Sequence, residues 1–306
     1  MKKTTLVFGI CFVLFFIFLI TFFMMQNSGN SEGFPSKKEV GLESGDCVVT
    51  NIWIDSFSRL DVLKDNKIKY LFVDVGDTGK DGKLKTSEEE LINFLELIKS
   101  YETEKNHNFI LLPYSEIITD NYDITSETFK QNFIDDYVHL YDMGFDGLLV
   151  DIEKIDPDMK DDYLDLLNRL KLKLGDDAII AVYAGALSNS DNPWEWNHDF
   201  YQSVSERVDL ISAPLYDSDM TDNESYKAYV KGQVTSISSA GFNSKFLFAI
   251  PTHKEPPETI DNALAAYNDV LHDNKNFIGL CIFAEWTTDT NEWSVFEKYV
   301  DKQFIY

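Results

Sequence analysis

Short apolar runs rich in β-branched and aromatic residues recur along the chain: "CVVTNIWI", "KIKYLFVDV", "HNFILLPY", "FDGLLVDIE", "DAIIAVYAG", "VDLISAPLY", "KFLFAIPT" and "FIGLCIFAEW". Each predicts a strand. Between most of them lie stretches whose apolar residues fall at three- and four-residue spacing, such as "SEEELINFLELIKSYE", "ETFKQNFIDDYVHLYDMG" and "MKDDYLDLLNRLKLKLG". These predict helices.

Strands apolar on both faces and alternating with helices imply a parallel sheet covered by helices. Eight such units fit an α/β fold of the (β/α)8 TIM barrel type over residues 46–306. A doubly wound open sheet competes, but it normally carries a Gly-rich phosphate turn after its first strand, and "NIWIDSFSRL" has no glycine. Barrel active sites form at the C-terminal strand ends. There the sequence collects Trp53 and Asp55, Asp74, Tyr114, Asp151 and Glu153, Tyr183, Tyr216 and Asp217, His253, and Glu285 with Trp286.

The pair in "GFDGLLVDIE" is the most telling. The period of two puts Gly147, Leu149, Asp151 and Glu153 on one face and Leu148, Val150 and Ile152 on the other. The branched residues suit the layer between sheet and helices, so the two carboxylates are expected to project into the barrel mouth. With Cα atoms roughly 6 to 7 Å apart, such a pair raises one member's pKa and keeps it protonated as a general acid.

The N-terminus follows a different pattern. Lys2 and Lys3 precede an uninterrupted apolar run from Leu6 to Met25, the length a helix needs to cross a bilayer. A cleavable signal peptide has a shorter core followed by small residues, whereas this run ends in "MMQNSGNS". Residues 1–26 therefore predict an uncleaved signal anchor, with the lysines inside and the barrel on the extracellular side of the cell membrane. Cys11 lies too deep in the run for a lipoprotein cysteine. Residues 27–45, polar and rich in Gly and Ser, read as a flexible linker.

Charge and cysteines narrow the partners. With 27 Lys and Arg against 52 Asp and Glu, the net charge of −25 excludes a nucleic-acid partner. It suits a neutral or cationic substrate, and it serves solubility equally well. Two exported cysteines, Cys47 and Cys281, make no disulfide framework and read as separate buried thiols, although the first and last strands of a closed barrel could make them neighbours. The loop "DVGDTGKDGKLKTSEEE" lacks the alternating oxygen spacing of a calcium loop. Neither a metal nor a cofactor is expected.

"FDGLLVDIE" resembles the fourth-strand signature of the family 18 glycoside hydrolases, the chitinase-like barrels, which reads Phe-Asp-Gly-x-Asp-x-Asp-x-Glu. Phe145, Asp146, Gly147, Asp151 and Glu153 match, while Leu149 stands where the family has its middle aspartate. "VDLISAPLYDS" is similar to the sixth strand, with Tyr216 and Asp217 as its Tyr-Asp pair and Pro214 in place of the usual methionine. "KFLFAIPTH" is similar to the seventh, with Ala249 at the glycine position and Pro251 kept. In the eighth, Phe283 replaces the usual tryptophan and Trp286 follows three residues later. "FILLPYSE" departs from the family's third-strand Ser-x-Gly-Gly.

The resemblance implies a divergent glycoside hydrolase that cleaves an N-acetylhexosamine-containing glycan by a retaining mechanism, with the substrate's own 2-acetamido group as nucleophile. Glu153 would protonate the glycosidic oxygen, Asp151 would orient the acetamido group, and Tyr216 with Asp217 would contact it from the opposite wall. Trp53, Trp194, Trp196, Trp286 and Trp293 are suited to stacking on sugars, with Trp286 foremost; Tyr114 and Tyr183 join the expected substrate contacts. His253 reads as structural. Two alternatives stay open: a barrel that binds glycan without cutting it, and a glycosidase of another family using a second carboxylate such as Asp74, Asp217 or Glu285.

Overall fold

A computed structural model describes residues 42–270 and 275–303. The expected anchor and linker, residues 1–26 and most of 27–45, lie outside the described residues, among which no helix is long and apolar enough to cross a membrane.

Each apolar run contains a strand. In chain order they are β1 (Asp46–Asn51), β2 (Ile68–Asp74), β3 (Ile110–Tyr114), β4 (Glu116–Ile118), β5 (Gly147–Glu153), β6 (Ile179–Tyr183), the short pair β7 (Ala186–Leu187) and β8 (Glu195–Trp196), β9 (Leu210–Pro214), β10 (Lys245–Pro251) and β11 (Phe277–Phe283). The helices between them are α1 (Phe57–Asp65), α2 (Glu88–Lys105), α3 (Glu127–Met143), α4 (Lys160–Leu174), α5 (His198–Ser205), α6 (Asn223–Ser239), α7 (Ile260–Asn268) and α8 (Thr290–Gln303). Local chemistry sets several helix ends. Ser87 and Glu90 form a reciprocal capping box at the start of α2, and Gly144 at φ 123° ends α3 in a conformation that a side chain would oppose.

The main sheet is all parallel, in the order β3-β2-β1-β11-β10-β9-β6-β5-β4. Its two ends, β3 and β4, are separated only by Ser115, so the sheet closes on itself. One extended segment pairs with β2 through its first half and with β5 through its second. Counting β3 with β4, eight strands make the barrel that the sequence pattern predicts.

Two apolar layers result. Val48, Leu71, Leu148, Val150 and Ile152 pack outward under the helices, while Cys47, Val49, Phe72, Leu112, Leu149, Ala181 and Leu247 fill the lumen. The expected facing of β5 is therefore observed. The two cysteines are buried free thiols, as expected, but they are neighbours rather than separate. Cys47 and Cys281 are register partners on β1 and β11, both free, with their Sγ atoms 2.9 Å apart, because closure brings the first and last strands together.

Closure also explains the glycine of "FDG". A Cβ on Gly147 would lie 1.9 Å from the carbonyl oxygen of Ile179 on β6, a backbone atom that cannot step aside. Gly147→Ala is expected to cost at least ~2 kcal/mol, read as a lower urea midpoint at unchanged m-value.

Candidate active site

The carboxylates stand at the C-terminal end of β5 as the period of two predicts. Asp151 is buried, and its Oδ1 has no hydrogen-bond partner. Desolvation raises its pKa well above the ordinary carboxylate range, and the charges of Glu153, Glu116 and Asp74 add to the effect. Glu153, half-buried one pleat further up, is pushed to about 7, first by burial and then by Glu116 and Asp217. Burial and the neighbouring charges thus let this end of β5 retain a proton toward neutral pH, as a proton donor requires.

Beside them, the hydroxyl of Tyr183, which ends the adjacent strand β6, lies 3.1 Å from that of Tyr216. Tyr216 packs edge-on against His253, with ring centroids 5.0 Å apart, and against Phe283 at 5.7 Å. His253 Nδ1 meets the Phe283 carbonyl oxygen at 3.0 Å, and burial lowers its pKa, so it serves as neutral scaffolding behind Tyr216.

Asp217 takes a left-handed backbone at φ 56°, a strained choice for a non-glycine. Glu258 holds it there. Its carboxylate accepts from the Asp217 and Ser218 N–H groups at 2.9 and 2.8 Å and from the Ser218 hydroxyl at 2.5 Å. The Asp217 side chain pairs with Lys254.

A cleft of about 630 Å3 opens beside this wall, lined by Glu153, Tyr183, Trp194, Trp196, Tyr216 and Asp217 among others. The structure divides the expected contacts. Glu153, Tyr183, Tyr216 and Asp217 share the cleft, while Asp151 and Tyr114 sit deeper, both nearly inaccessible. Trp286 is exposed and reaches the group through Phe283, with centroids 6.3 Å apart. Trp53 is exposed on another side of the mouth, 3.7 Å from where a Gly76 Cβ would sit. Trp196 is core, packed among Tyr163, Phe200 and Tyr201, whereas its neighbour Trp194 is 44% exposed and lines the cleft.

Glu285, a candidate second carboxylate, is held by the Arg59 guanidinium through both oxygens, with Nε at 3.0 Å. Asp74 accepts from the Gly76 N–H at 2.8 Å, and burial raises its pKa. Among the described residues no cluster of His, Cys, Asp or Glu could hold a metal ion.

Solved structures share this barrel. A family GH18 chitinase from Chromobacterium violaceum superposes with a TM-score of 0.62 over 88% of this chain and 86% of its own, at 13% identity. The fold is that of the family 18 glycoside hydrolases. The Bacillus megaterium spore cortex-lytic enzyme SleL superposes at 14% identity and TM-score 0.55, over 87% of this chain and 75% of that one. A tamarind chitinase-like lectin matches at 12% identity and TM-score 0.52, over 84% of this chain and 98% of its own. No family model and no curated protein matches by sequence.

Trp194, one of the tryptophans expected to suit sugar stacking, lines the cleft. Sequence reasoning passed over two residues of this site. Glu116 continues the alternation of Tyr114 past the end of its apolar run, a signal that was present in "PYSEI". Glu258 left no signal beyond its place before Thr259, the N-cap of α7.

Proposed function

We propose that the protein is a glycoside hydrolase acting on an N-acetylhexosamine-containing glycan, with Glu153 as general acid and the substrate's acetamido group as nucleophile. The observation that carries this reading is Glu153 at the cleft, held near pKa 7 beside the buried Asp151.

In the first step the acetamido oxygen attacks the anomeric carbon as Glu153 gives its proton to the departing glycosidic oxygen. The unpartnered Oδ1 of Asp151 accepts from the acetamido N–H and fixes its orientation. The Tyr216 hydroxyl and Asp217 fix the group from the far wall. Water then attacks the same carbon, loses its proton to the Glu153 carboxylate, and the acetamido group is restored. Trp194 and Trp286 offer exposed faces for neighbouring sugars. The apolar run of residues 6–25 would tether the barrel at the outer face of the cell membrane, where such glycans lie.

The acid must carry its proton to work. Turnover on N-acetylated oligosaccharides is therefore expected to hold below neutrality and to fall as pH rises through about 7. Equal cleavage of the de-N-acetylated oligosaccharide would sink the reading. A second reading, glycan binding without cleavage, is favoured by the lectin among the structural neighbours and by Leu149. Saturable binding of the acetylated oligomer with no product after prolonged incubation is its signature.

A further inference from the structure

Leu149 leaves β5 without the charge that the family pattern places beneath Asp151 and Glu153, and the neighbouring strand carries a carboxylate one pleat above it, level with Asp151. β4 pairs with β5 in the register Glu116 to Asp151, Ile117 to Ile152 and Ile118 to Glu153. Registered partners of adjacent strands share a face. Ile117 and Ile152 both enter the layer under the helices, so Glu116 and Asp151 both face the mouth.

The pairing is pinned beyond the strands. Thr119 N–H donates to the Glu153 carbonyl at 3.2 Å, and its hydroxyl donates to the Lys154 carbonyl at 2.5 Å. Asp151, 7% exposed with an unpartnered Oδ1 in this pocket of acids, marks a site built around protons rather than salt bridges.

We infer that Glu116 is a positioning residue for the acid, setting a fixed negative charge against Glu153 from across the β4–β5 pair in place of the absent aspartate. The inference rests on the reading of Glu153 as proton donor. The surrounding charges single out Glu116. Lys154, at the edge of the same cleft, is paired with Asp120, Lys254 offsets Asp217, and Arg59 is taken up by Glu285. Asp74, registered with Tyr114 on the neighbouring strand β2, adds its charge at Asp151 and not at Glu153, and the Tyr114, Tyr183 and Tyr216 hydroxyls are neutral, burial raising their pKa values well above the usual range. No ion pair among the described residues involves Glu116, so its exposed charge acts on Glu153 uncompensated. Among the charges raising the Glu153 pKa it ranks first after burial.

The test titrates the Glu153 carboxyl in the full chain by 13C NMR, with Glu153→Gln assigning the signal, and follows kcat/KM against pH on an N-acetylglucosamine oligomer. Glu116→Gln is expected to lower the Glu153 midpoint by about one pH unit and to move the alkaline limb of kcat/KM down equally. Glu116→Asp should keep both near the wild-type positions. A Glu153 midpoint unmoved by Glu116→Gln overturns the inference, whatever the activity. A limb that is present but unmoved overturns it while leaving Glu153 as the acid. A shifted midpoint in a protein that turns over no acetylated oligomer supports the charge coupling and counts against the proposed function.

Discussion

Replacing Glu153 by glutamine is expected to lower kcat on N-acetylated oligosaccharides roughly a thousand-fold, with KM changed only a few-fold. Glutamine matches the shape of the acid and can still meet the glycosidic oxygen, but it has no proton to give at useful cost. The loss then falls on the transition state rather than on binding.

Misfolding would mimic this result, and pH separates the two. A carboxyl whose folded-state pKa is raised adds stability that is full below its unfolded value and is lost as pH rises through about 7. At pH 8 the wild type bears this burden and Glu153→Gln does not, so the variant's thermal midpoint should equal or exceed the wild-type value. An inactive variant of undiminished stability is the expected pair of readings; retained activity would remove Glu153 from the mechanism.

The second large effect concerns Leu149, where restoring the family's aspartate looks like a repair. The structure predicts damage. Leu149 is fully buried in the lumen, in one apolar cluster with Phe72, Leu112, Ala181 and Leu247. Leu149→Asp removes a close-packed side chain and buries a carboxyl without a partner, which together cost about 3 to 5 kcal/mol. Beneath Asp151, already starved of solvent, the new acid would stay neutral and relay nothing. The expected result is a lower urea midpoint and no gain in kcat. A stable and faster variant would show that the barrel still has room for the lost charge.

These two residues also show how far the sequence could be read. The period of two in "GLLVDIE" placed Val150 and Ile152 under the helices and aimed Asp151 and Glu153 into the mouth, because strand geometry leaves no other arrangement once one face is apolar. Helix spans were legible for the same reason: the apolar spacing of α2, α3 and α4 lies within each segment, and Ser87 and Ser126 cap the first two.

What stayed hidden depends on contacts between segments distant in the chain. The meeting of Cys47 with Cys281, the Arg59 grip on Glu285 and the Glu258 clamp on Asp217 are set by closure of the sheet. Trp194 and Trp196 stand in one loop with similar surroundings in sequence. Both reach the cleft, and only the tertiary packing of Tyr163 and Phe200 against Trp196 buries it and leaves Trp194 exposed there. Glu116 is the intermediate case: its alternation with Tyr114 was on the page, but its partner Asp151 was known only once β4 was seen to pair with β5.

The central claim is that the substrate's acetamido group attacks first and that Glu153 serves both halves of the reaction. Two displacements at one carbon retain its configuration. Proton NMR of the reducing end formed in the first minutes of N-acetylglucosamine-oligomer hydrolysis, before mutarotation, reads this directly. The predicted first product is the β-anomer from a β-linked oligomer; an initial α-anomer would contradict the account.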